Sequence, residues 1–150
     1  MQLLFVANRI PYPPYRGDKL KIYNLARQLS KEHRLHLITF YDHANELAYE
    51  GELLKLFEKV VLIKQSKWQS YWSCLVGFFS QTPFQVLYFQ NTKFKKKLKK
   101  MLYKSSYDGI HVQHIRMAQY FNEPLPKNTI LDLPDAFSLY WKRRVDKAKN

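Results

Sequence analysis

Arg16, Gly17, Asp18 and Lys21 sit where a proline-rich turn gives way to a helical pattern. Cations and a glycine at a helix start suit an anion, because the first backbone N–H groups are unpaired and a residue without Cβ lets a ligand approach them. A turn glycine needing positive φ accounts for Gly17 equally well. Much later in the chain come His114 and Arg116, then Asp132 and Asp135. His114 either contacts a ligand or is a surface or packed histidine. Asp135 either joins a site or caps the helix that follows it. His111 alternates with apolar neighbours and reads as a structural position within a strand.

Missing motifs narrow the chemistry. Gly17 is alone in its loop, so neither the dinucleotide G-x-G-x-x-G nor the phosphate loop G-x-x-x-x-G-K-[ST] is present. No Cys/His spacing suits a metal, and His111 with His114 has no further ligands nearby. There is no nucleophile elbow. An ordinary dehydrogenase, kinase or hydrolase is disfavoured, and neither a metal nor a bound cofactor is expected.

The elements that must position these residues follow from periodicity. Short apolar runs predict strands at 3–7, 35–41, 60–63, 110–113 and 129–133. Between the first two lies Asn8-Arg-Ile-Pro-Tyr-Pro-Pro-Tyr-Arg-Gly-Asp18, whose three prolines and one glycine can continue neither helix nor strand. Asp18 is the expected N-cap of a helix with Ile22, Leu25, Ala26 and Leu29 at i, i+3, i+4, i+7. A second helix is expected over 46–57, with Leu47, Leu54 and Phe57 on one side and Gly51 weakening it. Further helices are predicted over 66–79, over 91–104 with Phe94, Leu98, Met101 and Leu102 on its apolar face, and over 116–121. A last one starts at Asp135 and runs to Asn150. Alternating strands and helices with short connections imply an α/β fold: a Rossmann-like, mainly parallel sheet with helices on both faces. In such a sheet the carboxyl ends of the strands share one edge, so residues 16–21, 114–116 and 132–135 converge there.

The chain has 150 residues, the size of one domain. Its single cysteine, Cys74, excludes an internal disulfide framework and reads as a small buried hydrophobe. Without a basic, apolar leader or a run of about 18 apolar residues, the expectation is a cytoplasmic protein able to lie peripherally at the inner face of the plasma membrane. The net charge of +13 is concentrated in residues 93–104, with seven lysines and no acid, and in residues 142–149, with five basic residues against Asp146. Such clusters attract nucleic acid, anionic lipid or phosphorylated substrates. A basic helix ending at Asn150, with no closing strand, sets the expectation of a cut between domains.

Four stretches, taken in order, carry a family resemblance. They are Phe5-Val-Ala-Asn-Arg-Ile-Pro-Tyr-Pro-Pro-Tyr-Arg-Gly-Asp-Lys-Leu-Lys-Ile-Tyr-Asn-Leu, His36-Leu-Ile-Thr-Phe, Asp108-Gly-Ile-His-Val-Gln-His-Ile-Arg-Met-Ala, and Ile130-Leu-Asp-Leu-Pro-Asp-Ala-Phe-Ser. Together they resemble the amino-terminal half of glycosyltransferase family 4, retaining GT-B enzymes with two Rossmann-like domains facing a cleft. The similarity is greatest to bacterial sugar transferases of exopolysaccharide and lipid-linked glycan pathways. It implies that the Gly17 loop approaches the donor diphosphate and the acceptor, and that His114 faces the transferred sugar. Arg16, Asp18, Lys21, Arg116 and Asp135 are then the other substrate-binding candidates. It further implies a nucleotide sugar as co-substrate, with its main site and a paired-glutamate motif in a second domain beyond these residues. Two departures stand out. The family's His-x-His is His111-Val-Gln-His114 here, and its adjacent glycine pair is reduced to Gly17.

The reading that results is an acceptor-side domain of a sugar transferase, inactive alone, acting on a glycan or lipid-linked acceptor. The competing reading is a non-catalytic module for a membrane surface or another anionic partner, with Lys95, Lys96, Lys97, Lys99 and Lys100 as membrane-binding residues. Nucleic-acid binding has the charge but no reading motif. A solvated helix face accounts for the same lysines. The aromatic stretch 68–90 is expected in the core or beneath a second domain.

Overall fold

The computed structural model describes residues 1–66, 84–121 and 124–133, together with 68, 72, 75 and 144–146. Five strands form one sheet: β1 (Gln2–Ala7), β2 (Arg34–Tyr41), β3 (Lys59–Lys64), β4 (Gly109–Gln113) and β5 (Thr129–Asp132). Their order is β3-β2-β1-β4-β5, and every pairing is parallel. This is the expected α/β, Rossmann-like arrangement. The chain builds outward from β1 to β2 and β3, then returns to the other side of β1 for β4. That reversal leaves a crevice beyond the carboxyl ends of β1 and β4, the place where open α/β sheets bind ligands.

β1 is central, which explains its unbroken apolar run. Leu4 and Val6 face one layer while Phe5 and Ala7 face the other, all fully buried. On the Phe5 face packs α1 (Gly17–Leu29) through Ile22 and Ala26, with Leu53 and Phe57 alongside. The Leu4 face is covered by α4 (Thr92–Lys104) through Phe94, Leu98 and Met101. Two short helices, α3 (Phe84–Leu87) and α5 (Ile115–Ala118), add Leu87 and Met117 to the buried residues. Asn91 caps α4, its side-chain oxygen accepting from the Phe94 N–H at 3.0 Å. Phe40 stacks on Phe94 at 4.4 Å, and the Tyr120 hydroxyl donates to the Phe89 carbonyl, so aromatic rings fill this layer.

Three expectations need correction. The first concerns the start of α1. The helix begins at Gly17, and the N-cap position is Arg16, extended at φ −115°, ψ 149°, with no side-chain cap. Asp18 therefore lies inside the first turn, where its carboxylate meets the positive end of the helix dipole and accepts from the Lys19 N–H at 3.0 Å. Nor does Gly17 have a positive φ. A Cβ there would meet nothing within 4 Å, so no turn demands a glycine.

The second is the helix expected over 46–57. It is a 3-10 helix (Ala44–Tyr49) followed by a single turn, α2 (Glu50–Leu53). Glu46 accepts from the N–H groups of Asp42 and His43 at 2.7 and 3.2 Å, which fixes the first turn. Leu47 and Leu54 are 40% and 52% exposed, whereas Leu53 and Phe57 are buried. The buried stripe is thus the i, i+4 pair Leu53 and Phe57. Third, the helix expected over 116–121 shortens to α5; beyond it the Tyr120 and Phe121 N–H groups donate to the Met117 and Ala118 carbonyls in i, i+3 turns, which end the α-helical ladder. The helix expected over 66–79 and Cys74 lie largely outside the described residues, although Trp68, Trp72 and Leu75 are helical and exposed. Of the last expected helix only 144–146 are described, and they are helical.

Candidate functional site

Every strand delivers its carboxyl end to one edge, and the residues that leave β1 and β4 there enclose a cavity of about 400 Å³. Asn8, Arg9, Arg16, Gly17, Asp18, His114 and Arg116 line it. Three arginines oppose one carboxylate, and Arg9 reaches Asp18 at 3.6 Å. The volume falls within the range of small-molecule sites. The lining is mainly polar.

The proline-rich loop that leads to Arg16 is anchored through Tyr12. Its ring lies 5.7 Å from Tyr23 on α1 and 5.4 Å from Tyr49, and Ile10 is fully buried. The Tyr12–Pro13 peptide is cis. At the start of α1 the first-turn N–H groups have no helical partner, and the space above Gly17 is open. The Lys19 N–H is taken by the Asp18 side chain, which leaves the Gly17 and Asp18 N–H groups and Arg16 to meet an anion together.

His114 is the most unusual residue of the site. It follows β4 directly, is 6% exposed and adopts φ 69°, ψ 147°. That region is populated almost only by glycine, and a side-chain-bearing residue held there costs about 1–3 kcal/mol. The strain is maintained from both sides. The His114 N–H donates to the Asp132 carbonyl at 2.9 Å, and the His114 carbonyl accepts from Met117 at 3.0 Å. The Gln113 side chain donates to the Asp18 carbonyl at 3.0 Å, locking the end of β4 to the start of α1. Arg116, two residues on, rests its guanidinium 5.2 Å above the Phe89 ring.

Not all the candidates from the sequence meet here. Arg16, Gly17, Asp18, His114 and Arg116 line the cavity. Lys21 does not; its ammonium binds Asp132 at 2.6 Å and so braces α1 against β5. Asp135 lies outside the described residues. Asn8 and Arg9 were missed by sequence reasoning, although both follow β1 directly at the same edge. Asn8 is 3% exposed, and its side-chain oxygen has no hydrogen-bond partner among the described residues. Among the described residues no group of three His, Cys, Asp or Glu side chains could hold a metal ion.

His111 is structural, as its alternation with apolar residues suggests. Its ring lies 5.2 Å from Phe5, and Nε2 lies 3.5 Å from Asp132. Burial pushes its pKa below the ordinary histidine value, and the opposing Asp132 charge recovers only part of that. Burial also lowers His36, whose ring meets the Tyr107 hydroxyl at 2.9 Å. Below about pH 6.5 the unfolded chain therefore binds protons that the folded chain resists, so stability falls as the pH drops through that point. Urea midpoints measured between about pH 7.5 and pH 5.5 should decline, and His111→Gln should flatten part of the decline. An unchanged slope in that variant would assign the effect elsewhere.

Comparisons with protein-family models, with curated proteins and with solved structures return no significant match.

Proposed function

We propose that this chain is the acceptor-side half of a retaining sugar transferase, working with a second Rossmann-like domain that carries the nucleotide-sugar site. One observation above all supports this reading: three arginines, an open helix start and a buried, strained histidine surround one cavity at the switch point of a parallel sheet. The resemblance of the same residues to glycosyltransferase family 4 points in the same direction.

In the proposed reaction the bond from the sugar's anomeric carbon to the diphosphate breaks. The acceptor oxygen bonds to that carbon on the same face, and the acceptor proton ends on the leaving phosphate. Negative charge grows on the diphosphate in the transition state. The Gly17 and Asp18 N–H groups and Arg116, which rests on Phe89, are donors positioned for that charge, and the exposed Arg16 beside them adds a cation. His114 would contact the transferred sugar, its backbone held in place by β5 and α5. The chain would need no cofactor beyond the nucleotide-sugar co-substrate. A lipid-linked glycan acceptor would suit a basic domain beside an anionic membrane.

The test has two parts. Inorganic pyrophosphate should raise the melting temperature of the 150-residue chain at low ionic strength, because ligand binding to the folded state stabilises it. Purified chain given nucleotide sugars should transfer no sugar. Robust transfer would contradict the division of labour between two domains, and no response to pyrophosphate would contradict the anion site.

A further inference from the structure

At the opposite end of the sheet lies a second concavity, unconnected with the cavity at the carboxyl edge. It has a volume of about 240 Å³ and is lined by Lys59, Val61, Lys97, Lys100, Met101 and Lys104. β3 is one of the two edge strands, and Lys59 and Val61, two residues apart, face the same side of the sheet as α4. Lys97, Lys100 and Lys104 fall at i, i+3, i+7 on α4 and form one stripe beside the buried Met101. The result is an apolar floor with four ammonium groups around it. None of the four is ion-paired with a carboxylate among the described residues.

We infer that this groove takes the phosphate headgroup of an anionic membrane lipid, with the start of an acyl chain on the Val61–Met101 floor. The inference does not depend on sugar transfer, since it uses a different end of the sheet and different residues. Charge complementarity selects the occupant. Four cations without a carboxylate partner among the described residues attract an anion, and an apolar floor between them favours one that carries a hydrocarbon chain over a bare ion or a nucleic-acid backbone. The structure also rules out the usual alternative for a basic amphipathic helix. Phe94, Leu98 and Met101 are buried in the core, so α4 cannot insert its apolar face into a bilayer. Contact has to come through the lysine side. Lysines near a helix carboxyl end complement its dipole, and a lysine on an edge strand discourages strand pairing. Neither effect requires Lys59 and the α4 stripe to share one concavity. Docking by the β3 edge would leave the carboxyl edge of the sheet free.

The experiment compares two variants of equal charge. Lys59→Gln with Lys104→Gln removes groove lysines, whereas Lys95→Gln with Lys99→Gln removes lysines of α4 that do not line the groove. Co-sedimentation uses phosphatidylcholine vesicles with and without phosphatidylglycerol. Binding should require phosphatidylglycerol, fall about tenfold or more in the groove variant and change little in the other. Lys59→Arg should retain binding and guards against a folding defect. Equal losses in the two double variants would reduce the groove to diffuse charge and overturn the inference. So would indifference to phosphatidylglycerol, displacement by millimolar inorganic phosphate, or tighter binding to duplex DNA than to vesicles at physiological salt.

Discussion

A chain carrying Arg16→Gln and Arg116→Gln should bind pyrophosphate about a hundredfold more weakly than the original, since each charge-assisted hydrogen bond to phosphate contributes about 1.5–3 kcal/mol. The two positions come from opposite sides of the switch point, one at the start of α1 and one on α5. Glutamine keeps a similar length and a hydrogen-bonding amide, so the loss reports charge and fork geometry. Isothermal titration at two salt concentrations measures it. Salt should weaken binding to the original chain far more than to the variant, because screening acts on the charges that were removed. Lys21→Gln serves as the control. Lys21 is engaged with Asp132, so its loss should lower stability while leaving pyrophosphate affinity nearly unchanged. Equal affinity of the double variant and the original would take the anion away from this cavity.

The second large effect is expected at His114, where the usual ranking of substitutions inverts. Alanine generally stabilises a protein relative to glycine, by reducing the freedom of the unfolded chain. At φ 69°, ψ 147° any side chain with a Cβ is strained, so His114→Ala keeps the strain and loses the packing. His114→Gly loses the packing and releases the strain. The glycine variant should therefore melt above the alanine variant, by an amount corresponding to about 1–3 kcal/mol. In an intact two-domain enzyme both variants should lose turnover, by about a hundredfold or more if His114 contacts the reacting sugar. On going from alanine to glycine, stability then rises while turnover stays lost. If turnover instead tracked melting temperature across the two variants, His114 would be a structural residue only.

Much of the fold could be read from the chain because the sheet is parallel and covered on both faces. Apolar runs such as Leu35 to Phe40 then stand out without alternation, and the stripes Ile22–Ala26 and Phe94–Leu98–Met101 mark the covering helices. Failures occurred where local signals were ambiguous. Asp18 looks like an N-cap by residue type, but the chain enters the helix two residues earlier, through Arg16. Over 46–57 the apolar residues fit more than one stripe, and only contact with the sheet selects Leu53 and Phe57. In the site, the convergence of Arg16, Gly17, His114 and Arg116 followed from the shared edge of a parallel sheet. The ion pair that withdraws Lys21 spans 111 positions and has no local signature. The same holds for the meeting of Lys59 with the α4 stripe, and no residue type announces the backbone strain at His114.

The central claim is that the carboxyl edge between β1 and β4 is an anion and sugar site. Backbone amide shifts of the labelled chain, followed by NMR during titration with inorganic pyrophosphate, test it most directly. The largest changes should fall on Gly17, Asp18 and Lys19 at the start of α1 and on the amides from His114 to Arg116, with saturation at a single site. Changes confined to residues 93–104, or no saturable change at the α1 start, would contradict the account.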